Sequence, residues 1–289
     1  MKIISKLKYL IIPIFLLTGC TLFKNDSMEN INIITTIYPL EYITNYLYGN
    51  NSIVNSIYPD DINTDTYVLT EKQLSDNSKK DLFIYMGISN DSDLAIDLIN
   101  RNKNLKLIDA TYGMEYKTDI SELWLNPSNL LMILQNIKNG LDEYISNTYL
   151  KMEINDRFNE LKLILSEADA NIKVTIENST KKTIFTNSNS LKFLERYGLK
   201  VNVIQKDDKY FEKNIALLND AISNKTVKYI YMIEDSEPIE EIQKLVDDKK
   251  IELLTFRNIK NITDKERNEK MNYNDILSEN LENLKKEIY

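Results

Sequence analysis

The sequence predicts an α/β protein of two lobes, each with a mostly parallel sheet flanked by helices, and one long helix that bridges them. Short β-rich runs alternate with helical runs over residues 31–109 and again over residues 183–256. This alternation is typical of parallel sheets that are covered by helices on both faces. Between the two tracts, an unbroken helical pattern from about Lys151 to Asn178 spans roughly 42 Å. That length exceeds what one lobe needs, so this helix is predicted to connect two.

The N-terminal lobe is predicted to occupy residues 31–148. One of its helices is closed by Gly49, and another begins with a capping box formed by Thr70 and Gln73. Gly87 follows an apolar run and ends it. The predicted strands are Ile31–Tyr38, Ile53–Tyr58, Leu82–Met86 and Leu105–Asp109, and the predicted helices include Leu40–Tyr48 and Ser92–Asn100.

The linking helix is predicted over residues 149–178. It follows another helix, for which Asn126 is the N-cap and Pro127 the first helical residue, where the missing N–H of proline costs nothing. Its apolar residues recur at steps of four and three, which gives one continuous stripe. The stripe consists of Ile154, Phe158, Leu161, Leu165, Ala168 and Ile172.

The C-terminal lobe is predicted to occupy residues 179–289, where the alternation of strands and helices resumes. Gly198 is expected to end one of its helices in the left-handed conformation. The predicted strands are Thr183–Thr186, Val201–Gln205, Val227–Ile233 and Ile251–Phe256. The predicted helices are Leu191–Tyr197, one from Phe211 to Ile222, Pro238–Val246 and a closing amphipathic helix over residues 277–288.

The first nineteen residues have the pattern of a secretory signal. A basic segment precedes a short apolar run that is too brief to span a bilayer, and the segment closes on Leu17-Thr18-Gly19-Cys20. That tetrapeptide has the form of a bacterial lipobox, which predicts acylation of Cys20. Residues 20–30 are then expected to carry the lipid and to tether the folded body, which locates the protein on the extracytoplasmic side of a bacterial cell membrane.

Charge and composition exclude several classes of function. Removal of residues 1–19 takes away three lysines and no acidic residue, which changes the net charge from −8 to −11. An acidic body repels nucleic-acid phosphates and is compatible with collecting cations. The chain has no histidine, and Cys20 is its only cysteine, so imidazole ligands, disulfides and thiolate metal sites in the mature body are excluded.

Polar side chains directly after predicted strands are the candidates for a binding site, because parallel sheets bind ligands outside the carboxyl ends of their strands. Two lobes that face each other would form a cleft between these ends. Solvated turn residues are the alternative interpretation for every such position. The candidates are Asp60, Asp61 and Asp65 after the second strand, Asn187 after the fifth, Glu234 and Asp235 after the seventh, and Asn258 after the eighth.

The stretch Ser121-Glu122-Leu123-Trp124-Leu125-Asn126-Pro127 resembles the Asp-Pro-His-x-Trp-Leu-Asp-Pro segment of the metal-binding (zinc/manganese) branch of ABC-transporter solute-binding lipoproteins. In that family the histidine is a metal ligand, and Glu122 stands in its place. Thr35-Thr36-Ile37-Tyr38-Pro39-Leu40 is similar to the family's opening strand. The loop from Pro59 to Thr70 resembles the one that carries the first ligand, with Asp65 at the histidine position. The resemblance covers essentially the whole mature chain.

The resemblance also implies the remaining ligands of a metal site. Asn187 falls at the third ligand position, normally His or Glu, and Asn258 at the position of a final Asp. The implied set is Asp65, Glu122, Asn187 and Asn258, with Glu234 or Asp235 as possible additions. Such an all-oxygen set suits Mn²⁺, Mg²⁺ or Ca²⁺ better than Zn²⁺. The alternative is a decayed site that holds water, a lysine or nothing.

The function that the resemblance implies is delivery of a divalent cation, zinc or manganese, to an ABC permease and its ATPase. Such a protein is not an enzyme. One rival is a degenerate family member that acts as a surface adhesin and binds no metal. The other is a glycosidase, which would need Asp65 and Glu122 roughly 5 to 9.5 Å apart around a sugar-sized pocket.

Overall fold

Eight strands form two separate parallel sheets of four strands, one in each half of the chain, with strand orders β2-β1-β3-β4 and β6-β5-β7-β8. The computed structural model describes residues 28–289. The predicted signal segment and Cys20 therefore lie outside the described residues. Helices flank both sheets, and a 31-residue helix joins the two halves. The predicted fold class is confirmed.

The N-terminal lobe begins earlier than predicted. Met28 is only 1% exposed, and the backbone N–H of Asn30 donates to the carbonyl of Asn51 at 2.7 Å. Residues 28–30 therefore pack on the lobe and are not part of a free tether. The strands are β1 Ile31–Thr35, β2 Ser52–Ser56, β3 Leu82–Tyr85 and β4 Lys106–Asp109, and the helices are α1 Tyr38–Tyr48, α2 Glu71–Ser78 and α3 Asp91–Arg101.

The structure contains the helix N-termini that the sequence predicts in this lobe and directly after it. The side chain of Thr70 accepts from the N–H of Gln73, whose side chain accepts in return, and this capping box opens α2. Asn126 accepts from the N–H of Ser128 at 3.1 Å and so caps the next long helix, with Pro127 at its first position. These helices are a short α4 Glu122–Leu125, α5 Pro127–Tyr144 and the linking helix α6 Thr148–Asn178.

The C-terminal lobe repeats the βα pattern with two differences from the prediction. The segment Asn189–Tyr197 is a 3-10 helix rather than an α-helix, although Gly198 ends it with φ 103° as expected. A short helix after β8 was not predicted. The strands are β5 Thr183–Thr186, β6 Lys200–Val203, β7 Tyr229–Ile233 and β8 Glu252–Phe256, and the α-helices are α7 Phe211–Ser223, α8 Glu240–Asp247, α9 Asp264–Asn268 and α10 Tyr273–Ile288.

One hydrophobic core runs through both lobes. Helix α6 contributes Ile154, Leu161 and Leu165, all fully buried, to a cluster that also contains Ile33 of the first sheet and Ile184 of the second. The same helix contacts α1 and α5 on one side and α10 on the other. The apolar stripe therefore joins the lobes, as its continuous spacing predicted. Among residues 28–289, no helix combines the length and apolar content that crossing a membrane requires.

Candidate functional site

The loops that follow β2 and β8 meet where the carboxyl ends of the two sheets face each other. The N–H of Tyr38 donates to the carbonyl of Lys260 at 2.9 Å, and the N–H of Asp61 donates to that of Ile262 at 3.2 Å. The side-chain amide of Asn261 donates to the carbonyl of Pro59 at 3.1 Å. These contacts close one side of a cleft between the lobes, at the edge where parallel sheets bind ligands.

Arg267 of α9 fixes this contact by pairing with carboxylates of the other lobe. Its guanidinium bonds Glu41 at 2.8 Å, and it bonds Asp60 through Nη2 at 2.8 Å and through Nε. Glu41 is 3% exposed, and the guanidinium of Arg267 is its ion-pair partner in this buried position. Hydrogen bonds to Asp60 and Glu41 raise the pKa of Arg267. The lobes are therefore held in register by a bidentate arginine.

Four of the six predicted site residues line one cavity of about 260 Å³ between the lobes. Asp65 comes from the loop after β2, and Glu234, Asp235 and Asn258 come from the ends of β7 and β8. Glu234 accepts from the backbone N–H of Asn258 at 2.7 Å, so these two residues support each other. Whether this set binds an ion stays a prediction.

Two cations that the sequence interpretation missed already pair with this set. Lys260 forms an ion pair with Asp65 across the lobes, and Arg257 forms one with Glu234. Both cations lie within two residues of Asn258 in the sequence, but the carboxylates with which they pair depend on how the lobes and strands meet. Within residues 28–289, no three His, Cys, Asp or Glu side chains are grouped so that they could hold a metal ion. A cation at this place would therefore have to displace Lys260.

Glu122 and Asn187 are not brought to this cavity. Glu122 opens α4, and its carboxylate turns back to accept from the backbone N–H of Lys117. It lines a separate cavity of about 540 Å³ with Lys192 and Arg196. Asn187 accepts from the N–H of Ile233 at 2.8 Å and donates to Ser236 at 2.7 Å, so both ends of its amide are used within the C-terminal lobe.

Trp124 is buried at the contact between the N-terminal lobe and the loop after β8. It is 2% exposed, and its indole N–H donates to the carbonyl of Asn258 at 2.8 Å. The hydroxyl of Tyr273 in turn donates to the carbonyl of Trp124. The motif around Trp124 thus connects the N-terminal lobe to the loop that carries Asn258.

Two parallel sheets joined by one long helix, with a cleft between the lobes, form the architecture that the sequence resemblance implied for a solute-binding protein. The chain belongs to the family described as zinc-uptake complex component A, periplasmic (ZnuA), whose model matches residues 33–287. Proteins of this family bind a substrate for an ABC transporter and catalyse no reaction. No curated protein matches the sequence significantly.

Several solved structures share the fold of this chain. The metal-dependent lipoprotein YcdH from Bacillus subtilis has a TM-score of 0.74 and 19% identity, over 90% of this chain and 99% of that one. The Zn(II)-bound ZnuA-like domain of AdcA from Streptococcus pneumoniae has a TM-score of 0.73 and 19% identity, with 90% and 99% covered. The laminin-binding protein Lbp of Streptococcus pyogenes has a TM-score of 0.70 and 18% identity, with 90% and 100% covered.

Proposed function

We propose that the chain is the extracytoplasmic solute-binding component of an ABC importer and that its cargo is a divalent cation held between the lobes. The observation that supports this most is the cavity in which Asp65 of one lobe faces Glu234, Asp235 and Asn258 of the other. A cation bound there would contact both lobes at once. Members of the same fold include a Zn(II)-bound domain and a metal-dependent lipoprotein, which favours a metal cargo.

The donor atoms favour Mn²⁺ over Zn²⁺. Carboxylate and amide oxygens are hard ligands, and the chain has no imidazole to offer. Lys260 would leave Asp65 when the ion enters, which exchanges one positive partner for another. Glu122 and Asn187, the other two residues of the predicted set, lie outside this cavity and are not ligands in the proposal.

Anchoring and delivery complete the proposal. Cys20 would carry the lipid that holds the protein at the outer face of the cell membrane. The cargo would pass to an ABC permease driven by its ATPase, as in the family to which the chain belongs.

Thermal melts of the purified full-length protein, stripped with a chelator and titrated with Mn²⁺, Zn²⁺, Ca²⁺ and Mg²⁺, test the cargo. We expect Mn²⁺ to raise the melting temperature most. A ligand at 100 times its dissociation constant adds about 2.7 kcal/mol to the free energy of unfolding. This gain corresponds to roughly 4 to 5 °C for a protein of this size. The absence of a shift with every ion would reject a divalent cation as cargo.

Three variants test which side chains the thermal response to the ion requires. Asp65→Asn should abolish the response, and Lys260→Met should strengthen it because a competing tethered cation is gone. Glu122→Gln is the matched control, since this carboxylate lies in another cavity and should leave the response unchanged. A response that survives in Asp65→Asn would contradict the proposed site. A response lost in Glu122→Gln would return that residue to the ligand set.

The pairing of Lys260 with Asp65 also favours a second candidate, a surface adhesin that binds no metal. In such an adhesin, the ammonium group of Lys260 would permanently occupy the place of the metal ion. Lbp of Streptococcus pyogenes is named for binding laminin, so immobilised laminin is a suitable probe. Saturable binding of the chelated protein to laminin, together with no thermal response to any ion, would support the adhesin.

A further inference from the structure

A second cavity of about 470 Å³ lies beside the proposed cation site and shares Thr64, Asp65 and Lys260 with it. This volume is within the range of small-molecule sites, about 300 to 1,000 Å³. The cavity opens at the carboxyl ends of β1 and β3, where a parallel sheet binds ligands. Unlike the cation site, it is lined by many apolar and aromatic side chains.

Asp91 is the unpaired charge of this cavity. Its carboxylate accepts from the backbone N–H of Met86 at 3.3 Å, and within residues 28–289 it forms no ion pair. Burial raises the pKa of the Asp91 carboxyl, and the neighbouring Thr36, the N–H of Met86, Ser89 and the charge of Lys260 oppose this rise. The hydroxyl of Thr36 lies next to this carboxylate, is fully buried and makes no hydrogen bond of normal geometry. The Asp91 carboxylate therefore has neutral donors beside it but no cationic partner among the described residues.

Aromatic rings also line this cavity. Tyr58 and Tyr67 meet edge to face with their ring centroids 6.1 Å apart, and Trp124 lies opposite within the same lining. Tyr116 is 43% exposed. Rings of this kind attract an ammonium group through the negative charge of their faces.

The charges decide which ligand fits. Lys260 is the only basic residue in the lining, and it is already paired with Asp65, so an anion finds no free partner. A bare metal ion would leave the rings and alkyl groups of the lining without a partner. An ammonium group with an apolar body satisfies both features, since the charge can meet the carboxylate while the body covers the rings.

We propose that this cavity binds a small organic ammonium compound, with its nitrogen at the Asp91 carboxylate and the Thr36 hydroxyl and its apolar part against Tyr58 and Tyr116. The site goes beyond the divalent-cation cargo, because it uses a different carboxylate and needs no metal.

Calorimetric titration of the full-length protein in excess chelator tests the proposal separately from the metal site. Phenethylamine is the probe, and 3-phenylpropionate is its matched control with the same body and the opposite charge. We expect saturable binding of phenethylamine, and of choline as a second cation, and none of 3-phenylpropionate. Equal binding of phenethylamine and 3-phenylpropionate, or no binding of either phenethylamine or choline, would overturn the proposal.

Two variants locate the site. Asp91→Asn keeps an acceptor for Met86 but loses the charge, and it should weaken phenethylamine binding about tenfold or more. Asp93→Asn, an exposed residue on the same helix, should leave binding unchanged. Tyr116→Ala changes only an exposed wall of the cavity and should weaken binding without affecting the fold. Unchanged binding in both Asp91→Asn and Tyr116→Ala would show that the amine binds elsewhere.

Discussion

Replacement of Trp124 by alanine is expected to lower the free energy of unfolding by about 3 to 5 kcal/mol, the usual cost of deleting a buried tryptophan. The side chain is 2% exposed, and its loss leaves a cavity in the shared core. The carbonyl of Asn258 would also lose its 2.8 Å hydrogen bond from the indole. Urea denaturation of the variant and the parent protein measures the difference.

The variant Trp124→Phe separates packing from the hydrogen bond. Phenylalanine fills part of the volume but has no donor for Asn258, so a loss of about 1 to 3 kcal/mol is expected. If Trp124→Ala and Trp124→Phe destabilised the protein equally, the contribution of packing would be refuted. A loss below about 1 kcal/mol in the alanine variant would mean that the indole is not buried in solution.

Replacement of Glu287 by alanine is expected to cause the second large loss in the free energy of unfolding. Glu287 lies in α10 and is fully buried, and one of its oxygens accepts from the N–H groups of Lys228 and Tyr229 at 2.9 and 2.8 Å. The other oxygen pairs with Lys181 at 2.9 Å. Glu287→Ala strands two backbone donors at the start of β7, so a loss of about 3 kcal/mol or more is expected in urea denaturation.

Two further variants control this result. Glu279→Ala removes an exposed carboxylate from the same helix and should change stability by less than about 0.5 kcal/mol. Glu287→Gln keeps an acceptor and should lie between the two. If Glu287→Ala lowered the free energy of unfolding no more than Glu279→Ala, the buried hydrogen bonds of Glu287 would not contribute to stability.

The sequence predicted most of the fold because its signals are local. Thr70 with Gln73 and Asn126 with Pro127 set helix starts through bonds within one turn, and the structure forms both. The alternation of β-rich and helical runs requires only a covered parallel sheet. By contrast, Asn189–Tyr197 is a 3-10 helix, which period and propensity distinguish poorly from an α-helix.

The site was less accessible to sequence reasoning because it depends on how the lobes meet. Strand ends located Asp65, Glu234, Asp235 and Asn258, which share one cavity. The resemblance placed Glu122 there as well, but a motif fixes a position in the chain and not the direction of a side chain. The short helix that Glu122 opens turns its carboxylate towards the N–H of Lys117 instead.

The ion pair between Lys260 and Asp65 is a long-range contact that no local pattern specifies. Strand-end reasoning considered only side chains that could donate oxygen to a metal, so a lysine in the same loop as Asn258 was passed over. Its role became visible only when the loops after β2 and β8 were placed together.

The hydrophobic cluster that extends from one lobe into the other limits how far the lobes can separate. Helix α6 packs against α1 and α5 of one lobe and α10 of the other, so a wide hinge opening would expose apolar surface along its whole length. The loop between β2 and α2 is held to the other lobe by hydrogen bonds and ion pairs alone, which include those of Asp60 with Arg267 and Asp65 with Lys260. We therefore expect a ligand held between the lobes, as proposed above, to leave through movement of this loop rather than through separation of the lobes.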